Sequence, residues 1–564
     1  MTQASGLSSA GASKERPWFR FWPKGVPVHL EYPKSTLVQM LDEMASQRPD
    51  SVQFVFYGRK VTYSETARAS MMIAKAIQSL GVKKGERIAI AMPNCPQFAI
   101  AYFGALRAGA VVVPVNPLYT DREMNAVLAD SGARMVFTLD MFYFTVKRGA
   151  LDTEVKWIVA SRISDYMPKA ISVLGKLLRK VPTGEVSRDE GTLWLKDLLK
   201  NDGLYEPVSV DPDADPAIFM YTGGTTGVPK AAILTNRNLM ANSLMIKHWA
   251  RMTDDDVVLN VLPWFHVYGL SVGLNSTVVT GSTAVVLPKF STDDVLHAIK
   301  KHRPTYFPGV FSMYIALLSS PHISDYKEDM RSIKYCISGA APLPVEVAKK
   351  WTEVTGGMIV EGYGLSEASP VTHVNPMDDP SHVKYGSIGI PIPDTDARIV
   401  DIETGSKELS ANEVGELVVS GPQVSRGYWN RPEETRNTFK DGWLYTGDIA
   451  YMDDDGYFFI VDRKKDMINV GGLKVWPREI EEVAYQNPAV KMAAAVGIKD
   501  EFYGEVPKLY VVLKDEFKGK VTPEEVQGFF VGKLTKYKVP KAVEFREELP
   551  TTLVGKIVRR KLKE

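Results

Sequence analysis

Residues 87–139 read RIAIAMPNCPQFAIAYFGALRAGAVVVPVNPLYTDREMNAVLADSGARMVFTL, and this stretch decides the fold class. Its apolar, Val/Ile-rich runs at 87–91, 111–115 and 135–139 have the length and composition of buried strands. Between them, 97–108 and 121–130 have the length of helices, so the order is strand, helix, strand, helix, strand. Short connections between such elements predict a mostly parallel sheet with helices on its faces. Similar alternation returns at 256–286 and at 294–339. Residues 401–457 differ, being rich in short strands and turns such as DDDG at 453–456, so a small β subdomain is expected over 400–462. The charged run DRKKD at 462–466 then marks a boundary. Beyond it, helix-like segments at 477–486 and 523–534 alternate with strand-like ones at 492–496 and 509–513, enough for a separate α+β domain. The expected class is therefore α/β, with a large N-terminal domain at 29–462 and a smaller C-terminal one at 468–564.

At 564 residues the chain exceeds one ordinary core, and several packed units are expected. Lys and Arg number 68 against 67 Asp and Glu, a formal net charge of +1, which gives no general electrostatic case for a nucleic-acid binder. Cys95 and Cys336, the two cysteines, both lie in apolar runs, which speaks against a disulfide framework or a Cys-based zinc site and for two core residues in a reducing compartment. No run reaches the length of a membrane span, and MTQASGLSSAGASKERP lacks the apolar centre of a signal peptide. The expectation is a cytoplasmic protein with a disordered leader at 1–28.

The stretch YTGGTTGVPKAA at 221–232 looks built to meet phosphate. It is no Walker A loop, because Lys230 follows a proline instead of the last glycine, no hydroxyl follows the lysine, and the next residues read as a strand. What remains is a glycine-rich turn between two apolar runs, open to two readings: backbone N–H groups and threonine hydroxyls around an anion, or a plain hairpin turn. Four further stretches join it: SGAAP at 338–342, EGYGLSEASP at 361–370, YTGDIAY at 445–451 and TTLVGKIVRR at 551–560. Singly each is weak, since Asp448 could be a turn residue, Glu367 a solvated acid and Lys556 one lysine among many.

Together, in this order and spacing, they closely resemble the adenylate-forming superfamily of acyl-CoA synthetases, peptide-synthetase adenylation domains and luciferases, over about residues 30–564. KKGER at 83–87, VNPLY at 115–119, GPQV at 421–424 and VDRKKDMI at 461–468 look like bacterial and archaeal fatty acyl-CoA synthetases. The resemblance implies two half-reactions: a carboxylate attacks the α-phosphate of ATP to give acyl-AMP and pyrophosphate, and the thiol of coenzyme A then displaces AMP. Carboxylate and triphosphate repel each other, so charge neutralisation and positioning must carry the catalysis.

By the same resemblance, Thr222, Gly223, Gly224, Thr225, Thr226, Gly227 and Lys230 hold the β- and γ-phosphates. Mg²⁺ lies between Thr222 and Glu367, hard oxygen donors of the kind it prefers. Gly339, Ala340 and Ala341 with Glu361, Gly362, Tyr363, Gly364 and Ser366 form the AMP pocket, Tyr363 stacking on the base. Asp448 accepts from the ribose hydroxyls beside Arg463, and Lys556 bridges carboxylate and α-phosphate. Residues 463–467 are the hinge, with Lys465 at its pivot. About it the mobile C-terminal domain rotates and brings Gly471 and Gly472 to the pantetheine tunnel. His266, Val267, Gly309, Val310 and Leu365 are expected around the acyl group, with Lys556, Glu367 and His266 as the catalytic set. Ser366 stands where relatives usually have threonine, and Asn469, Leu473 and Lys474 depart from the family pattern near the expected coenzyme A contacts.

The acid itself is open to three readings: a medium- or long-chain fatty acid, which leads; a short, hydroxylated acid such as 4-hydroxybutyrate, or an aromatic one; or an acyl group handed to a carrier protein. Because no carrier domain follows in the sequence, free coenzyme A is favoured. PKAISVLGKLLRKVP at 168–182 places Ile171, Leu174, Leu177, Leu178 and Val181 at helical spacing among basic residues. It reads either as a helix covering its own domain or as one lying on an anionic membrane at the inner face. A homodimer is a family expectation.

Overall fold

The computed structural model describes residues 16–177, 181–222, 229–463, 466–552 and 557–563. Gly223, Gly224, Thr225, Thr226, Gly227, Lys465 and Lys556 thus lie outside the described residues. Within them the large domain is built on two sheets. One runs Thr192–Trp194, Trp157–Ser161, Ala133–Leu139, Arg87–Ala91, Val111–Pro114, Pro216–Thr222, Lys230–Thr235. It is parallel throughout except for its last pair, an antiparallel hairpin in which Thr222 faces Lys230. The other has a parallel centre of Met358–Gly364, Tyr335–Ser338, Tyr306–Gly309, Val257–Asn260, Thr283–Val286 and Val52–Phe56, with antiparallel strands at both edges.

The helix Pro96–Arg107 is buried on every side. Its core joins residues of both sheets, with Phe98 and Phe54 each packed on Trp264 at ring separations of 5.8 and 5.6 Å. A helix sandwiched in this way has no solvent face, which is why its sequence is apolar nearly all round. Cys95 and Cys336 are buried free thiols, as read.

The strands Asp396–Val400, Gly415–Ser420, Trp443–Met452, Phe439–Lys440 and Phe458–Arg463 make an antiparallel sheet of their own. The C-terminal sheet, in the order Leu473–Val475, Ile468–Val470, Gly504–Leu513, Val490–Asp500, with Ala542–Phe545 alongside Gly504–Leu513, is backed by the helix Pro477–Tyr485. The helix expected to reach 534 ends early, at Pro523–Gly528. Thr522 and Glu525 close its start as a capping box, but Gly528 ends it, glycine costing about 1 kcal/mol against alanine in a helix.

Two expectations change. Residues 16–28, assigned to a disordered leader, are packed: Pro17–Phe21 form a 3₁₀ turn that buries Trp18 against Phe458 at 5.9 Å, and Arg16 pairs with Asp396 at 2.6 Å. In the helix Lys169–Leu177, Ile171, Val173 and Leu174 are 44%, 69% and 56% exposed, so these side chains do not cover the domain. Among the described residues no helix is long and apolar enough to cross a membrane.

Candidate active site

In the second sheet, the segments carrying Gly339–Ala341 and His266 leave the carboxyl ends of parallel strands, and Glu361–Gly364 is itself the carboxyl end of the strand Met358–Gly364. Open α/β sheets bind ligands there, where loops diverge and backbone groups lie unpaired. Gly339 follows the strand Tyr335–Ser338 and donates its N–H to the Gly309 carbonyl at 3.2 Å. A side chain at Gly339 would stand 3.0 Å from the Tyr268 ring, so glycine is needed for that close approach. Ala340 then takes a left-handed φ of +66° and turns the chain across the cleft.

This cleft lies between the domains. Ala340, Ala341, Glu361, Gly362, Tyr363 and Gly364 line one side with Asp448 and Arg463; Arg478, Glu481, Ile557 and Arg559 of the C-terminal domain line the other. Asp448 and Arg463 face each other across paired strands and form an ion pair at 2.9 Å, while the Tyr363 hydroxyl donates to the second Asp448 oxygen at 2.6 Å. Burial and the adjoining carboxylate hold the Tyr363 hydroxyl protonated far above its ordinary range, and Asp448 strengthens the Arg463 charge. A carboxylate has about four lone-pair sites, so Asp448 retains capacity for further donors.

Glu361 is buried and accepts the Leu343 N–H at 3.2 Å, with Arg478 at 3.9 Å. Burial pushes its carboxyl up to about 7, against the attraction of Arg478. Glu367 sits in the turn Ser366–Ala368, which packs on the hairpin carrying Thr222 and Lys230. Its carboxylate takes the Tyr428 hydroxyl at 2.7 Å, and Lys230 lies over the Tyr428 ring at 5.5 Å and 3.9 Å from Glu434. The strands flanking the turn of 221–232 form a hairpin, and the turn carrying Glu367 packs against both of them.

A second cavity opens from the same seam, since Ala340, Gly362, Tyr363 and Gly364 line both. Its walls are apolar; His266, Val267 and Leu365, expected around an acyl group, line it together with Ser366, expected in the AMP pocket. The His266 Nδ1 accepts the Tyr268 N–H at 3.3 Å. Gly309 and Val310 are not in this wall. Tyr314 fills the space over Gly309, Val310 is buried in the core, and Tyr268 donates to the Ile337 carbonyl at 2.8 Å and lines the cavity instead.

Gly471 and Gly472 form the two-residue turn between Ile468–Val470 and Leu473–Val475, with φ of +57° and +90°. Left-handed φ at both positions is the signature of a type I′ hairpin, so the turn itself demands these glycines.

Residues 41–429 match the AMP-binding enzyme family and 479–556 match the AMP-binding enzyme C-terminal domain. The chain belongs to the AMP-binding enzyme family. It is 43% identical over 557 residues to the long-chain-fatty-acid–CoA ligase of Bacillus subtilis (strain 168), covering 98% of each chain. It is 38% identical over 564 residues to the ligase of the same name from Salmonella typhimurium, again at 98% coverage of each. Among solved structures, an anthranilate CoA ligase, AuaEII, in complex with anthranoyl-AMP superposes with a TM-score of 0.81 at 26% identity, covering 94% of this chain and 97% of that one. Set against this family, the residues that the sequence reading passed over are Tyr268, Tyr428, Arg478 and Arg559. Arg559 lay within the TTLVGKIVRR stretch and Tyr268 two residues past His266, whereas Tyr428 and Arg478 had no local signal to mark them.

Proposed function

We propose that this enzyme is an ATP-dependent acyl-CoA ligase that activates medium- to long-chain fatty acids. The observation that carries the reading is the junction at Gly362–Gly364 of an apolar cavity with a polar cleft holding Asp448, Arg463 and Tyr363. An acid with its tail in the first would present its carboxylate to a nucleotide in the second. Asp448 would accept the ribose hydroxyls in charge-assisted hydrogen bonds, with Arg463 fixing its orientation. Tyr363 would lie against the base, and Lys230 would meet the terminal phosphates.

In the first half-reaction a carboxylate oxygen bonds to the α-phosphorus as the bond to the bridging oxygen breaks and pyrophosphate leaves. Lys556 would neutralise charge there, and Ile557, its neighbour in sequence, lines the cleft. In the second, the coenzyme A sulfur bonds to the acyl carbon and AMP departs, with the pantetheine arm passing Gly471 and Gly472 after the C-terminal domain has turned about Lys465. His266 would orient the carboxylate from the mouth of the cavity. Thr222 and Glu367, on elements packed together, offer hydroxyl and carboxylate oxygens that fit Mg²⁺. When bound, the ion would lower the charge on the triphosphate. The exposed Ile171, Val173 and Leu174, beside the basic residues at 169–180, would rest on an anionic membrane from which a greasy acid is drawn.

The test is pyrophosphate release with ATP, Mg²⁺ and coenzyme A across straight-chain acids from acetate to oleate, with 4-hydroxybutyrate, benzoate and 4-coumarate alongside. An optimum at eight or more carbons is expected. An optimum among the short, hydroxylated or aromatic acids would keep the chemistry and overturn the substrate class.

A further inference from the structure

The cavity that adjoins the cleft has a stretch of wall that the cleft does not share, and its composition is specific. Ile246, Trp249 and Ala250 lie at the end of the helix Asn236–Trp249, spaced so that they share one face. None of them lines the nucleotide cleft. Trp249 is 2% exposed and is held on two sides: its indole N–H donates to the Asn375 carbonyl at 3.2 Å, and its ring meets that of Trp22 edge-to-face, 5.2 Å between centroids at 85°. Trp22 does not line the cavity and stands behind Trp249.

Trp22 belongs to the N-terminal segment that precedes the family-matched region beginning at residue 41. That segment is fastened along its length. Arg16 pairs with Asp396 and Glu408, Trp18 is buried against Phe458, and the Trp22 indole donates to the Val26 carbonyl at 2.8 Å. Further on, the Lys24 N–H donates to Asp378 at 2.9 Å, and Arg251, just past the helix, donates to the Lys24 carbonyl. A strap tied at so many points cannot yield locally, and an edge-to-face pair adds about 0.5–1.5 kcal/mol to the burial of the rings.

We infer that Trp249, backed by Trp22 of the N-terminal strap, is the stop that sets the longest acyl chain this enzyme accepts. The inference rests on the reading of this cavity as the acyl site. An alkyl chain reaching past Trp249 would have to displace the indole from Asn375 and from Trp22, whereas a chain that ends before it gains apolar contact with each methylene. Each methylene buried is worth about fourfold in kcat/KM, so the limit should appear as a sharp fall after a rising series.

The experiment measures kcat/KM for pyrophosphate release along a homologous series of saturated acids, with the full-length wild type, Trp249→Ala, Trp249→Leu and Trp22→Ala, each checked by thermal melting. For acids two carbons beyond the wild-type limit, relative to the wild-type optimum, Trp249→Ala and Trp249→Leu should raise kcat/KM about 15-fold, two methylenes' worth. Trp22→Ala, which leaves the cavity wall chemically intact, should move the limit in the same direction by a smaller step. A limit that stays put in Trp249→Leu and Trp22→Ala variants that melt near the wild type overturns the stop. A wild type that activates no aliphatic acid at all overturns the functional reading beneath it, and the two failures are told apart by the wild-type series alone.

Discussion

Glu361 shows how one side chain couples the site to pH. It is 6% exposed, and burial holds its carboxyl at about 7 although Arg478 and the Leu343 N–H both favour the charged form. In the unfolded chain it titrates near 4.5, so the folded state prefers the protonated acid. That preference stabilises the fold fully below about pH 4.5 and is lost as pH rises through 7, at up to about 1.4 kcal/mol per unit. Glu361→Gln removes the titration while keeping an acceptor for Leu343. Thermal melts of the nucleotide-free protein from pH 5 to 8 should therefore show the wild-type midpoint falling by several degrees relative to the variant's. Parallel curves would show that the Glu361 carboxyl is not carrying this penalty. The EGYG stretch marked Glu361 from sequence, but its titration depends on Arg478, which reaches it from the other domain and leaves no trace in the local pattern.

At the scale of elements, the helix Lys169–Leu177 departs most from its expected packing. Its Ile171, Val173 and Leu174 face outward, and outward apolar groups beside basic ones suit an anionic bilayer. Replacing Ile171 and Leu174 together by Asp should lower co-sedimentation with phosphatidylglycerol vesicles at least tenfold while leaving the turnover of a soluble, shorter acid unaltered. Equal sedimentation of the two proteins would rule the helix out as the contact. The elements themselves were legible wherever one physical rule governed them. The run at 87–139 gave its strands and helices to within a residue or two, because Val/Ile-rich strands and capped helices alternate there without competition. Thr120 with Glu123, a capping box, starts the helix Asp121–Ser131, and Gly132 with φ +60° ends it. Legibility failed where tertiary contact decides. The 16–28 strap owes its order to Trp18, Trp22 and Arg16 meeting partners hundreds of residues away, and Gly309 is kept from the apolar cavity by Tyr314, a neighbour that only the fold brings over it.

Across the whole molecule, the seam between the domains is held by charge. Arg559, forked onto Glu481 of its own domain at 2.9 and 2.7 Å, reaches across to Asp462 at 3.8 Å and to Asp466 of the hinge at 3.6 Å, while Arg478 donates to the Ile460 carbonyl at 2.8 Å and its backbone N–H reaches Asp462 at 2.9 Å. Burial pushes Asp462 up to about 6, with Arg559 opposing, so the acid depends on that guanidinium for its charged state at neutral pH. Ion pairs of this kind contribute little net stability, because desolvation offsets most of their attraction, but removing one partner leaves the other buried and uncompensated. Such a seam favours one docked orientation without welding it. In the orientation seen, Arg559 and Ile557 line the cleft proposed for the nucleotide, so this arrangement should be the one that serves adenylation. Arg559→Ala would leave Glu481 and Asp462 without their cation and disfavour docking by about 1–2 kcal/mol, after allowing for the partial exposure of the arginine, or roughly tenfold in population. Acyl-AMP formation, followed by pyrophosphate exchange, should fall by about that factor. Thioester formation from supplied acyl-AMP should change less than threefold, since the proposed turn of the domain would break these contacts. Equal loss in both halves would mean that Arg559 holds the C-terminal domain together internally instead of selecting where it docks.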